Sequence, residues 1–365
     1  MTAAADTARV GGLDMLQDPG GYAFLTDGSG WAGNGVARRL EPRGPTRFVD
    51  AAEWTEDLLA PGQIAFASFT FDGEAGSAVT IPEQAVRVTD TRSRRTRLQS
   101  GKVRYAGSTI TEVEWMEAVT AATAQIGGGE YDKIVLARDL HVWTDHPLDA
   151  LALTARLAAR FPSCMTFLHE GFVGATPELL VRRAGRDVTA VVLAGTSPPG
   201  AAAGAALLRS EKDRTEHRFA LRSAVASLSP LSRELEVDED PWLLRLDNVQ
   251  HLASRIRGRM VEDRHVLDVV AALHPTAAVG AYPATAASRI PGLERMDRGR
   301  YAGPIGIVHY GGDGTFGIAL RCAQLQGNRA RLFSGCGIVA DSLPEAELQE
   351  TRLKLLAMQS VLSDQ

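Results

Sequence analysis

Two segments of the chain set carboxylates three residues apart: Asp213 and Glu216 in SEKDRTEH, and Glu347 and Glu350 in PEAELQETRLK. Residues three or four apart share one side of a helix, so each segment presents its acids together, and Lys354 falls on the same face as Glu350. Like charges crowded in this way are unfavourable unless a cation or water screens them. Two such helices facing each other make an all-oxygen site suited to a magnesium ion that keeps several waters and takes one substrate carboxylate. Either pair alone also fits an ordinary solvated face, and the spacing leaves both readings open. Lys133 interrupts the apolar run YDKIVLAR. It either snorkels at a strand edge or sits in a pocket, where desolvation and nearby cations would make its amine available as a base. Glu178 follows the tight Gly174–Ala175–Thr176–Pro177 turn. Its carboxyl either caps a helix or donates a proton at a pocket edge.

Glycines recur in Ala194–Gly195–Thr196 and in Ser334–Gly335–Cys336–Gly337, each expected just past a strand. There, bare backbone N–H groups approach an anionic ligand closely, or simply turn the chain. Arg321 ends the apolar run FGIALR, where a buried guanidinium calls for a carboxylate partner. His251 and His274, in QHL and LHPT, each fit a structural hydrogen bond, and no HExxH pair exists. The serines lack a nucleophile elbow, and no cysteine lies in a catalytic signature.

These groups need elements to hold them. Thr111 with Glu114 fits a capping box, followed at helical spacing by Trp115, Val119, Ala122 and Ile126 and ended by Gly127–Gly129. Tyr131 to Arg138 then reads as a strand with Lys133, Val135 and Ala137 on one face. Helices are expected over 149–160, 211–228, 266–272 and 344–362. Strands are expected at 164–168, 172–174, 188–193, 249–256, 305–310, 315–321 and 331–333. In the first hundred residues only Ile64–Ala67 and Ala78–Ile81 read clearly as strands, and the run Arg92, Arg94, Arg95, Arg97 reads as a solvated hairpin or loop. Adjacent strands interrupted by helices, without strict alternation, argue for α+β with a large, mostly antiparallel sheet system. No linker divides the chain, which reads as one large unit.

The 365 residues are 45% hydrophobic and 23% charged, enough for a sizeable core. A net charge of −5 disfavours a nucleic-acid binder. Three scattered cysteines, Cys164, Cys322 and Cys336, do not make a disulfide framework or zinc knuckle, and a reducing cytoplasm is the expected compartment. No run approaches the roughly 18 apolar residues of a membrane helix. The opening MTAAADTARVGGLDM reads as a flexible lead rather than a secretory signal.

YDKIVLAR, GATPELL, LAGT, SEKDRTEH, QHLASRIRG, LHPTAAVG, RGRYAGPIG, LRCA, LFSGCGIV and EAELQETRLK stand in the order seen in chorismate-utilising enzymes. Over roughly residues 110–362 the chain resembles the isochorismate synthases of that family. The resemblance implies the α+β fold of anthranilate synthase component I, a twisted, mostly antiparallel β-sandwich flanked by helices. Residues 1–109 would form its variable N-terminal part and 110–365 the chorismate-binding catalytic region. It implies Lys133 as the base that activates water and Glu178 as the acid that protonates the departing 4-hydroxyl of chorismate. Glu216 and Glu350 would hold magnesium, with Glu347 and Asp213 close through water. Tyr301 and Arg321 would grip the enolpyruvyl carboxylate, helped by backbone near Gly335 and Gly337. Gly195, Thr196, His251 and Lys354 would line the pocket, with His274 near the attacking water.

The aminating branches typically lack the base lysine, and Ala194 removes the lysine used by aminodeoxychorismate synthases, so no glutaminase subunit is expected. The implied activity is magnesium-dependent conversion of chorismate to isochorismate by a cytoplasmic monomer, with isochorismate destined for menaquinone or siderophore synthesis. The alternative is a salicylate synthase, which goes on to eliminate pyruvate; a scaffold that binds chorismate without turnover is a third reading.

Overall fold

Alternation along the strands decides the layers. In Gly21–Thr26 and Met165–His169, Tyr22, Phe24, Met165 and Phe167 face one way, while Ala23, Leu25 and Leu168 face the other. This is the period-two pattern of strands buried on both faces. The first set meets Phe66, Val181, Ile305 and Phe316 of a second sheet and forms the core between the two. The second set lies with Leu151 and Leu157 of helix Ala150–Arg160 and with Leu355 and Met358 of helix Pro344–Leu362. A computed structural model of the protein describes residues 10–16, 20–91, 101–238, 240–247 and 249–363.

Among the described residues the two sheets contain eleven and ten strands. Every pairing is antiparallel except that of Val10–Gly12 with Gln84–Asp90. Strands from the first ninety residues enter both sheets: Ser29–Asn34 pairs with Gly21–Thr26 in the first, and Ile64–Ser68 pairs with Pro304–His309 in the second. Helices Glu211–Leu228 and Val266–Leu273 pack on the second sheet, and Arg47–Leu58 packs on the latter helix. The α+β sandwich expected from the sequence is the architecture observed. No helix among the described residues is long and apolar enough to cross a membrane.

The Thr111 capping box forms: Thr111 Oγ1 accepts the Glu114 N–H at 3.2 Å, and Glu114 accepts the Thr111 N–H at 2.8 Å. The helix it starts, Glu112–Gly127, buries Trp115 and Val119 against Ile134, Leu136 and Ile338. Several boundaries differ from expectation. The Lys133 strand runs on to Trp143 because Arg329–Ile338 pairs with it from Ile134 to Trp143. Consequently Ser334–Gly337 lies inside a strand rather than past its end. Gly195 sits at a bulge within strand Asp187–Ser197, with φ +78°. Part of the expected N-terminal lead, Val10–Gly12, is a strand. Helices Arg47–Leu58, Ala201–Arg209 and Ile290–Glu294 were not legible in the sequence. The run Arg92, Arg94, Arg95 and Arg97 lies outside the described residues.

Candidate active site

Lys133 is fully buried, and its strand has neighbours on both sides, Arg329–Ile338 and Ala281–Tyr282. The edge-snorkel alternative therefore fails. Its Nζ lies 3.2 Å from Glu216 Oε1, an ion-pair contact that leaves the amine without an aligned hydrogen bond. Gly337 makes that meeting sterically feasible. A Cβ there would stand 2.0 Å from Glu216 Oε1 and 2.9 Å from Lys133 Cε. Because Val135 and Ala137 follow Lys133 at period two, all three share the face turned away from helix Glu112–Gly127, as the alternation predicts.

The two acid-bearing helices do approach each other. Ser210 caps helix Glu211–Leu228: its Oγ accepts the Asp213 N–H at 3.3 Å and donates to the Asp213 carboxylate. Asp213 is thus engaged in the cap, with its carboxyl held above the usual range chiefly by burial. One turn on stands Glu216. From the same first turn, Lys212 reaches across to Glu347 on helix Pro344–Leu362 at 2.5 Å, and Lys354 pairs with Glu350 at 2.6 Å. Each of the three glutamates therefore carries a lysine partner. Burial pushes the Glu347 carboxyl up, as does the Glu350 charge, against the pull of Lys212. Among the described residues no three His, Cys, Asp or Glu side chains stand together as a preformed metal set. The donor chemistry nevertheless fits a hard divalent cation: the acids offer oxygen only, they repel one another, and cations already neutralise them.

Glu178 lies where the chain passes from strand Phe172–Thr176 of the first sheet to Leu179–Ala184 of the second. No helix begins there, so the capping alternative fails. The side chain is buried and, among the described residues, has no ion-pair partner. Burial pushes its carboxyl up to about 8, against a hydrogen bond from the Leu193 N–H and the positive charges of Lys133, Arg321 and Lys354. At neutral pH it is mainly the protonated acid.

Arg321 sits in the left-handed region, φ +47°, and is buried. Its guanidinium donates to His251 Nε2 at 3.0 Å and, among the described residues, has no carboxylate partner; its Nε is without any hydrogen bond. Burial, then Arg321 and Lys354, keep His251 neutral. With Nε2 accepting, the ring proton belongs on Nδ1, facing Thr196 Oγ1 at 3.1 Å and the Gly195 carbonyl at 3.4 Å. The Tyr301 ring stacks on Phe333 with centroids 5.2 Å apart, and a Cβ on Gly335 would lie 3.1 Å from the Tyr301 hydroxyl. Lys354 Nζ also donates to the Gly335 carbonyl at 2.8 Å.

One narrow cavity is lined by Glu178, Gly195, Thr196, Glu216 and His251, together with Tyr301, Arg321, Gly335, Gly337 and Lys354. Lys133 lies beneath it, against Glu216, while Glu347, Glu350 and Asp213 surround that end through their charges. His274 does not line the cavity. Its Nε2 lies 2.8 Å from the Phe71 carbonyl and its ring packs against Phe48 and Phe71. The apolar wall of Val135, Leu193, Val279 and Leu320 was not singled out from the sequence, although the alternation of the Lys133 strand points Val135 inward. The arrangement joins a buried amine, a neutral acid and a guanidinium that, among the described residues, has no carboxylate partner, around one narrow cavity.

The chain matches the family model described as chorismate binding enzyme over residues 73–363. It is 42% identical over 265 residues to the salicylate biosynthesis isochorismate synthase of Pseudomonas aeruginosa, covering 68% of this chain and 55% of that protein. To isochorismate synthase MenF of Bacillus subtilis it is 36% identical over 268 residues, covering 70% of this chain and 57% of the relative. The matches thus span little more than half the length of either relative. The solved structure of DhbC from Bacillus anthracis superposes with a TM-score of 0.87 at 27% identity, covering 96% of this chain and 98% of the other.

Proposed function

The chain belongs to the chorismate binding enzyme family, and from that premise we propose that it is an isochorismate synthase acting on free chorismate. The observation that carries the reading is a cavity-lining Glu178 carboxyl that keeps its proton near neutrality, with buried Lys133 in contact with Glu216 of the same cavity wall. Exchanging the 4-hydroxyl for one at C2 needs both. A water oxygen bonds to C2 while Lys133 takes its proton; the ring double bonds shift; the C4–O bond breaks, and Glu178 protonates the hydroxyl so that it departs as water. A hydroxyl leaves poorly without that proton, which is what a carboxyl raised to about 8 supplies. Arg321 and Tyr301 bind the enolpyruvyl carboxylate, filling the place of the carboxylate that the guanidinium lacks. His251 holds the guanidinium in register from the side.

Magnesium is the proposed cofactor, held by Glu216 and Glu350 with Glu347 and Asp213 in support. When bound it would neutralise and orient the ring carboxylate. Lys133, Lys354 and Lys212 pair with Glu216, Glu350 and Glu347. We place the enzyme in the cytoplasm as a monomer without a glutaminase subunit, a setting in keeping with three free, buried cysteines and with Ala194 in place of the aminating branch's lysine. Menaquinone or siderophore synthesis would consume the product.

Purified protein incubated with chorismate and magnesium tests the proposal, with products resolved chromatographically. Isochorismate without pyruvate is the expected result. Salicylate with pyruvate would move the enzyme to the salicylate synthase branch, and binding without product would overturn the catalytic reading.

A further inference from the structure

The open edge of the Lys133 strand is closed by an ion pair. Ala281–Tyr282 pairs with Ile134 and Lys133, and Arg104–Gly107 pairs only from His141 onward. Between them Val135 and Ala137 turn their N–H and C=O groups to an edge that no described strand covers. Unsatisfied backbone groups buried there would be unfavourable, and each has a substitute partner. The Val135 N–H donates to the Gly280 carbonyl at 2.8 Å, and the Val135 carbonyl accepts from Arg298 Nη2 at 2.9 Å. The Ala137 N–H donates to Glu294 Oε1 at 2.6 Å, and the Ala137 carbonyl accepts from Trp115 Nε1 at 3.0 Å.

Arg298 and Glu294 are themselves buried and paired through Nε and Nη2. The remaining Arg298 nitrogen, Nη1, donates to the Val279 carbonyl at 2.8 Å. The Arg298 carbonyl accepts the Tyr301 N–H at 3.0 Å. The guanidinium therefore ties the strand that carries Lys133 to the Val279 wall of the cavity, while the main chain of the same residue holds the Tyr301 N–H. Only a planar fork with several donors makes the bonds to Glu294, Val135 and Val279 at once.

We propose that the Glu294–Arg298 pair is a positioning device that fixes Lys133 relative to Tyr301 and the cavity wall. The inference rests on the reading of Lys133 as the base, since its kinetic consequence arises only there. Neither residue lines the cavity, so both act through the backbone.

Arg298→Lys keeps the charge and loses the fork, while Glu294→Gln keeps an acceptor for Ala137 and loses the charge. In variants shown to be folded by circular dichroism, kcat for isochorismate formation should fall about tenfold or more, with KM for chorismate changed by less than about threefold. Amide exchange over 133–137 should quicken. If the single variants do not fold, Glu294→Leu/Arg298→Met strands no buried charge and takes their place. A folded variant with kcat within about twofold of the parent would overturn the proposal. If the parent itself makes no isochorismate, the functional reading fails, and unchanged exchange over 133–137 in the variants would then overturn the positioning claim separately.

Discussion

Glu178 and Glu347 are both buried glutamates, and their surroundings set them to different tasks. Glu347 meets Lys212 at 2.5 Å, and its neighbours Glu350 and Glu216 hold Lys354 and Lys133 in the same way. Among the described residues Glu178 has no such partner, only the Leu193 N–H and more distant positive charge, and burial leaves it protonated near neutral pH. Residue type is common to both regions; what differs is whether a cation stands in contact. A crowd of paired carboxylates can exchange its counter-ions for a metal, whereas a lone desolvated carboxyl stores a proton. The acid helices and the Glu178 turn therefore divide charge handling and proton transfer between them.

The sharpest way to break this division is to remove the amine that lies between the two regions. Lys133→Ala should lower turnover by about 10²–10⁴-fold while calorimetric binding of chorismate persists; near-normal turnover would refute its role as base. Gly337→Ala comes next, because the added Cβ lands on the Glu216 carboxylate and against Lys133 Cε. A loss of roughly 10²-fold is expected in steady-state rate, arising from displacement of those groups. A smaller effect should follow from Glu350→Gln: the magnesium concentration for half-maximal activity should rise roughly tenfold while the rate at saturating metal is better preserved. Smallest of all, Thr111→Ala removes a helix cap that lies outside the cavity lining. It should reduce stability to urea by about 1 kcal/mol and leave kcat unchanged.

Much of this site was legible in the chain because its residues follow local rules. The three-residue spacing placed each pair of acids on one helix, and the apolar alternation put Lys133, Val135 and Ala137 on one strand face. What local rules do not contain is the partner across space. Arg321 called for a carboxylate and instead meets His251, seventy residues away in sequence. His274 was expected near the attacking water but turns to the Phe71 carbonyl, since a buried ring nitrogen takes whatever backbone group lies beside it. The Gly335 and Gly337 backbone was expected past a strand's end. Long-range pairing with the Lys133 strand carried it into the sheet interior. Helix Arg47–Leu58 is not legible in the sequence because its buried face is built from polar or small residues, Arg47, Ala51, Ala52 and Thr55, beside a single large apolar one, Phe48. The Glu294–Arg298 pair is buried through packing that no local spacing reveals.

The proposed catalysis turns on the proton held by Glu178. Infrared difference spectra between the parent and Glu178→Gln, recorded across pH, read that proton directly. The prediction is a protonated-carboxyl band at pH 7 that disappears as pH rises through about 8, with kcat/KM falling over the same interval because the acid form is lost. A Glu178 band already absent at pH 7, with the carboxylate in its place, would contradict it.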